Sequence, residues 1–307
     1  MPVDLTVRVG PLKLKNPLIA ASGTIGYGTE LKGLVDLNQL GGVVTKTITL
    51  NPRQGNPPPR ICETPGGVLN SIGLENPGLN YFCRAYLPGF ARLRTVRIVS
   101  IGGEDASELP LLAKRLSACG GMDALEVNLS CPNLDKRKPI IASSPSLVRA
   151  VIKKVRRASK LPLIAKLSPN VTDIAAIARA AYSAGADIIS LINTITGLSV
   201  DWRARKPALG NITGGLSGPA VKPIALRMVW EVVQKTKAPV IGMGGIMQGS
   251  DVLEFLATGA SAVAIGTANL VNPDAGPKII NEVRQLLEEE HISSISQLIK
   301  TLKCGIN

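Results

Sequence analysis

Histidine occurs once in this chain, aromatic side chains make up only 3% of it, and acidic residues are outnumbered 22 to 35 by basic ones. The lone histidine, His291, stands near the C-terminus, so neither a Cys–His nor a Ser–His hydrolase has a base to build on. With so few rings the core has to be aliphatic, made of Val, Ile, Leu and Ala. That suits parallel strands buried on both faces. Scarce aromatics also weaken a nucleic-acid reading of the net charge of +13. The basic clusters Lys136–Arg137–Lys138, Lys153–Lys154 with Arg156–Arg157, and Arg203–Arg205–Lys206 have no interleaved stacking platform or recognised binding motif. A basic surface that attracts small anions or an acidic partner is the plainer reading.

Long apolar runs are missing too, none approaching the roughly 18 residues of a membrane span, and Met1–Gly10 lacks the basic head and apolar stretch of a signal peptide. The five cysteines (Cys62, Cys83, Cys119, Cys131, Cys304) form no C-x-x-C pair. We therefore expect a cytoplasmic protein with no metal site and no membrane or nucleic-acid partner. Cys119 is expected to be a buried structural thiol, and so are Cys62, Cys83 and Cys304. What the chain does have is 45% hydrophobic residues and a mean hydropathy of +0.22, enough for a substantial core.

Eight short apolar runs end in Gly, Ser, Thr, Asn or Lys: Leu18–Gly23, Gly42–Thr47, Val96–Gly102, Ala124–Ser130, Leu163–Ser168, Ile188–Thr194, Val240–Gly245 and Ala262–Thr267. Helical patterns alternate with them. Ser144–Pro145, Thr172–Asp173 and Ser250–Asp251 read as helix starts, and Gly185 and Gly259 as stops. An α/β fold follows, a (β/α)8 TIM barrel with a small N-terminal β-hairpin (Thr6–Val9 and Leu12–Lys15) and a helical tail. No linker divides residues 1–307, so one domain is expected. Three long connections (48–76, 132–144 and 195–218) follow strands and belong to the carboxyl-end face, where barrel active sites form.

Polar residues at strand ends are informative because core strands do not require them. Lys46, Asn128, Ser130–Cys131, Lys166 and Asn193–Thr194 all converge on one mouth. Gly244–Gly245 and Gly266–Thr267 follow the seventh and eighth strands, where glycine lets backbone N–H groups approach a phosphate. Cys131 lies past a strand end, fixed by Pro132, and a thiolate there would be a usable base or nucleophile.

Asn128-Leu-Ser-Cys-Pro-Asn133, Thr45-Lys-Thr47, the Asn70–Gly78 stretch, Ile192-Asn-Thr194, Gly214-Gly-Leu-Ser-Gly218, Gly242-Met-Gly-Gly-Ile246 and Ile265-Gly-Thr267 occur together and in order. In this the chain resembles the class 1 dihydroorotate dehydrogenases, most closely the B-type catalytic subunit. The resemblance implies oxidation of dihydroorotate to orotate in pyrimidine synthesis, with FMN taking hydride from C6 and Cys131 taking the C5 proton. It places FMN against Ser22, Lys46, Thr47, Ser100, Asn128, Lys166, Ile192, Gly218, Gly244, Gly245, Gly266 and Thr267. It places substrate against Lys46, Asn70, Ser71, Ile72, Gly73, Leu74, Asn128, Asn193 and Thr194. Lys166 would sit near the flavin N1 side and stabilise the reduced anion.

Two positions depart from the family pattern. Ser100 stands where asparagine is frequent, and Leu134–Ile141 replaces a glycine-containing stretch expected to cover Cys131. The resemblance also implies a homodimer joined to an electron-transfer subunit carrying FAD and an iron–sulfur cluster, a heterotetramer that passes electrons to NAD. The alternatives are a fumarate-dependent A-type enzyme or a related pyrimidine-reducing flavin barrel. From a different class, a non-redox phosphate-binding barrel acting as isomerase or synthase would be colourless.

Overall fold

The structure is a computed structural model that describes residues 3–103, 107–130, 141–303 and 305. Eight parallel strands close into a barrel: β1 Leu18–Ala20, β2 Gly42–Val44, β3 Val96–Ile101, β4 Ala124–Asn128, β5 Leu163–Lys166, β6 Ile188–Leu191, β7 Val240–Met243 and β8 Ala262–Ile265. Each neighbours the next in sequence, and β8 pairs with β1 to close the ring. All eight expected runs are strands, each ending one to three residues before its expected limit. The polar residues that close each run therefore leave the sheet and stand at its mouth. β5 to β8 are buried at every position. This is why they read as unbroken aliphatic runs rather than as alternating ones. The hairpin Val7–Val9/Leu12–Leu14 forms as expected, with Val7, Val9, Leu12 and Leu14 buried and the residues between them exposed.

Helix alternates with strand seven times rather than eight. Between β1 and β2 only the 3-10 turn Leu37–Gln39 occurs, since Gly23, Gly26, Gly28 and Gly33 all take positive φ there and break any helix. A cavity of about 660 Å³ lined by Gly28, Leu34, Asp36 and Arg92 occupies the side left without a helix.

One expected helix start lacks its side-chain cap and another shifts. Pro145–Ala158 begins at Ser144, as expected, but Ser144 Oγ bonds Ser146 Oγ (2.8 Å) and makes no capping bond. The helix expected from Ser250 starts at Gly249 with Gln248 as its cap. Asp251 is the third residue of a reciprocal capping box and accepts from Met247 N (2.8 Å) and Gln248 N (3.1 Å). Asp173 caps Ile174–Ser183 by accepting from Ala176 N at 2.9 Å, and Gly259 ends Gly249–Thr258 in the left-handed region.

The tail is not helical as expected. The helix Ala275–Glu289 stops before His291 (φ +57°), and among the described residues beyond it the one helical element is the 3-10 turn Ile295–Gln297. The serine-rich segment instead bonds the N-terminus: Asp4 N donates to Ser293 O (3.0 Å) and Ile295 N to Asp4 O (2.9 Å). Among the described residues no helix is long and apolar enough to cross a membrane.

The loops after β2 and β6 are not irregular. They build one four-stranded antiparallel sheet in the order Ile195–Leu198, Thr213–Ser217, Gly67–Asn70, Ile61–Thr64. Thr64-Pro-Gly-Gly67, a turn signal between two short apolar runs, is the sequence feature that could have revealed the hairpin within it. The thiols also differ from expectation. Cys119 is exposed at the end of helix Glu108–Cys119, and Cys62 and Cys83 are only half-buried. Helix ends face solvent, and a thiol there has no core to enter. Cys304 lies outside the described residues.

Candidate active site

Because all eight barrel strands run parallel, every residue just past a strand end faces the same mouth. Past β1 and β2, Ser22 Oγ lies 3.3 Å from Thr47 Oγ1, and Thr47 Oγ1 lies 3.0 Å from Ser100 Oγ on β3. This ladder of three hydroxyls joins three strands. Ser100 is fully buried, and its N–H donates to Thr45 Oγ1 (3.1 Å). With its shorter side chain Ser100 reaches Thr47, so it bears on a ligand through Thr47's orientation. Lys46, between these contacts, is held at its backbone by Gly26 O (2.8 Å). Its Nζ lies 3.9 Å from Glu75 Oε2, a carboxylate that Arg60 also grips at 2.7 Å.

Across the mouth, Asn128 Oδ1 accepts from Ser130 N and from Asn193 Nδ2, both at 3.2 Å. Asn193 Oδ1 in turn accepts from Thr194 N at 2.8 Å. Each asparagine thus fixes the other, and among the described residues no further hydrogen bond occupies the Asn128 side-chain amide. Lys166, at the end of β5, is 7% exposed, and its Nζ stands 3.9 Å from Glu126 Oε1. Ile192 is buried, donates to Met243 O (2.9 Å) and follows Leu191 through a cis peptide.

The covering sheet brings the Asn70 loop to the β6 end. Asn70 Nδ2 donates to Gly215 O (3.3 Å), and Gly215 pairs with both Asn70 and Thr196. Gly215 packs so closely on Thr194 that a Cβ there would fall 1.9 Å from Thr194 Oγ1. Beyond Asn70, Ser71 Oγ accepts from Asn56 Nδ2 at 2.8 Å, Ile72 is half-buried, and Gly73 and Leu74 both take positive φ (75° and 58°). A non-glycine residue held left-handed needs outside support. Asn76 supplies it: its Nδ2 donates to Leu74 O and Thr49 Oγ1, both at 2.7 Å, and its Oδ1 accepts from Gly78 N at 2.8 Å. Sequence reasoning singled out neither Asn76 nor Glu126. Asn76 lay inside the Asn70–Gly78 pattern, and a glutamate in the middle of an otherwise apolar strand was the available signal for Glu126.

At the β7 and β8 ends, Gly244 (φ +124°) and Gly245 (φ +78°) turn tightly against the start of helix Lys222–Lys235. Thr267 Oγ1 donates to Ser217 Oγ at 2.9 Å, next to Gly218 (φ +105°). Lys222 Nζ is bonded to Asp251 Oδ1 (2.7 Å) and Glu254 Oε1 (3.0 Å), which holds the Gly244–Met247 loop in place. These two bonds, the one to Asp251 first, hold the Lys222 ammonium above the usual lysine range. Around Gly266 there is room: a Cβ added there meets nothing nearer than Thr24 Cγ2 at 4.0 Å. The arrangement can hold an extended polar ligand with an anionic end near Gly244–Gly245 and Gly266.

Of the expected site residues, Cys131 lies outside the described residues, as do Pro132, Asn133 and 134–140 of the expected cover. Ser130, immediately before Cys131 in the chain, has a buried hydroxyl without a partner among the described residues.

The family model for dihydroorotate dehydrogenase matches residues 4–287. A protein of Desulforamulus reducens named as the catalytic subunit of dihydroorotate dehydrogenase B (NAD(+)) is 52% identical over 299 residues, 97% of this chain and 98% of its own length. Proteins with the same name from Thermodesulfovibrio yellowstonii and Pelobacter propionicus are 50% and 48% identical over 303 and 304 residues, each match covering 99% of this chain and the whole of the relative. Near-complete coverage at such identity, on a barrel whose strand ends carry the motifs, shows that the chain belongs to the dihydroorotate dehydrogenase family.

Proposed function

We propose that this chain is the catalytic subunit of a B-type dihydroorotate dehydrogenase, oxidising dihydroorotate to orotate in pyrimidine biosynthesis. The observation that carries this reading is the meeting of Lys46, Asn128, Lys166, Asn193 and the Asn70–Leu74 loop over one mouth, with glycine turns at one side. The residues present fit FMN: a cradle at Gly244–Gly245 and Gly266 that accepts a phosphate, hydroxyls at Ser22 and Thr47, and a nearly closed cation at Lys166. Gly218 and Thr267 flank the phosphate, and Ile192 supplies apolar wall. FMN, when bound, supplies the hydride acceptor for C6.

The chain's own groups do the rest. Lys46 offers a positive charge to the substrate carboxylate, and the fixed amides of Asn70, Asn128 and Asn193 match the ring's donors and acceptors, with Ser71, Ile72, Gly73, Leu74 and Thr194 shaping the cover. Cys131 takes the proton from C5. A partner subunit carrying FAD and an iron–sulfur cluster would supply the route onward to NAD, in a heterotetramer built on a homodimer, in the cytoplasm. The relatives' designation as catalytic subunits supports a partner.

Anaerobic mixing of the yellow protein with dihydroorotate, monitored at the flavin absorbance, tests the reaction. Rapid bleaching is expected, and Cys131→Ala should retain FMN but bleach far more slowly. Full-speed bleaching in that variant would remove Cys131 as base, and a colourless protein would remove the flavin reading. Unaided NAD reduction by the purified chain would overturn the need for a partner.

A further inference from the structure

A TIM barrel interior is filled by branched aliphatic side chains, and nothing about closing the barrel calls for a carboxylate. Glu126 nevertheless stands in the middle of β4, 2% exposed. It reaches two side chains on the next two strands, Lys166 on β5 and Ser190 on β6, which are themselves register partners. Its Oε2 accepts from Ser190 Oγ at 3.2 Å. Its Oε1 accepts no hydrogen bond among the described residues and lies 3.9 Å from Lys166 Nζ. That separation is an ion pair without a hydrogen bond, so the donors of Lys166 are not consumed by it. A carboxylate this deep is costly unless paired, and its one charged partner among the described residues is the lysine at the mouth.

We propose that Glu126 is a positioning residue, the buried counter-charge that steadies the Lys166 ammonium and moderates the positive field it presents to the bound flavin. The inference rests on the flavin reading of the mouth. Lys166 favours the negative charge a flavin gains on reduction. A carboxylate directly behind it cancels part of that effect, holding the potential low enough for electrons to pass onward. Ser190 holds the carboxylate by its other oxygen and so sets how near it comes.

The test is a set of midpoint potentials measured on the flavin-loaded protein for the wild type, Glu126→Gln, Lys166→Met and the double variant. Glu126→Gln keeps the shape and removes the charge, and its potential is expected to shift positive with flavin still bound one per chain. In the Lys166→Met background the same change is expected to shift the potential by clearly less, because there is no ammonium left for Glu126 to hold in place and only the carboxylate's own field remains. An unchanged potential in Glu126→Gln, or an equal shift in both backgrounds, overturns the proposal and leaves Glu126 a packing residue. Where Glu126→Gln does not yield folded protein, Ser190→Ala carries the test. Freed from its hydroxyl, the carboxylate moves toward Lys166 and shifts the potential negative, and no shift overturns the proposal. Failure of the flavin reading itself looks different: the wild-type protein would carry no flavin at all.

Discussion

Gly266→Ala is expected to separate phosphate binding from protein stability, because the added methyl group meets open space and not the protein. The nearest atom to a Cβ at Gly266 is Thr24 Cγ2 at 4.0 Å, an ordinary contact, and the residue's φ of −114° is open to alanine. Replacing glycine also removes about 0.4–1 kcal/mol of unfolded-state freedom, which offsets the ψ of −87°. The apoprotein should therefore keep its melting temperature within a few degrees. If a phosphate sits against this turn, the methyl stands between it and the backbone. Losing one hydrogen bond to a charged group costs about 1.5–3 kcal/mol, or roughly 10- to 150-fold in Kd.

The assay is quenching of flavin fluorescence on titrating apoprotein, with FMN and with riboflavin, which lacks the phosphate. FMN affinity should fall by that factor while riboflavin affinity stays unchanged. Equal losses for both ligands, or no loss for FMN, would refute the placement. Gly245→Ala makes the contrast: φ is +78° and its Cβ would fall 2.7 Å from Lys222 N. Strain of about 1–2 kcal/mol and overpacking of about 1–3 kcal/mol then lower stability even without ligand.

Asn76→Ala leaves the buried N–H of Gly78 and the carbonyl of Leu74 without their partner, at a cost of about 1–3 kcal/mol. With the Asn70–Leu74 loop loosened, KM for dihydroorotate should rise several-fold while FMN content holds, and steady-state kinetics with a flavin count decides it. Asp173→Ala removes one capping bond made by an exposed side chain, so stability should drop by about 1 kcal/mol with kcat unchanged, read by denaturant titration and turnover. Burial, and then the hydrogen bond with Cys119 whose sulfur lies 3.5 Å away, pushes the Cys83 thiol up to about 12. Since the thiolate is the nucleophile, iodoacetamide at pH 8 should label exposed Cys119 well before Cys83, with the Cys83 rate climbing about tenfold per pH unit. Mass mapping of the labelled peptides checks this, and equal rates would contradict it.

Much of this protein is determined locally. Each barrel strand is a short aliphatic run, and burial on both faces leaves no other explanation for eight such runs in order. The polar residue that ends each run is fixed in place by the strand before it, so Lys46, Asn128, Lys166 and Asn193 could be assigned to one mouth before any coordinates. Other features needed the tertiary structure. Residues 61–70 and 195–217 each pair locally, but they join into one sheet only because Gly67–Asn70 pairs with Thr213–Ser217, more than a hundred residues apart, and no local period announces that. The segment between β1 and β2 was expected to alternate like the rest, but its glycines leave it as turns. Ser100 was expected against FMN where asparagine is frequent, and only the structure puts its hydroxyl 3.0 Å from Thr47 Oγ1. Glu126 reads as an anomaly in a core strand, and only the neighbouring strands supply the lysine and serine that give a buried charge its partners. Sequence dictates which residues stand at strand ends and which lie within; which of them touch depends on barrel register, a property of the whole closed sheet.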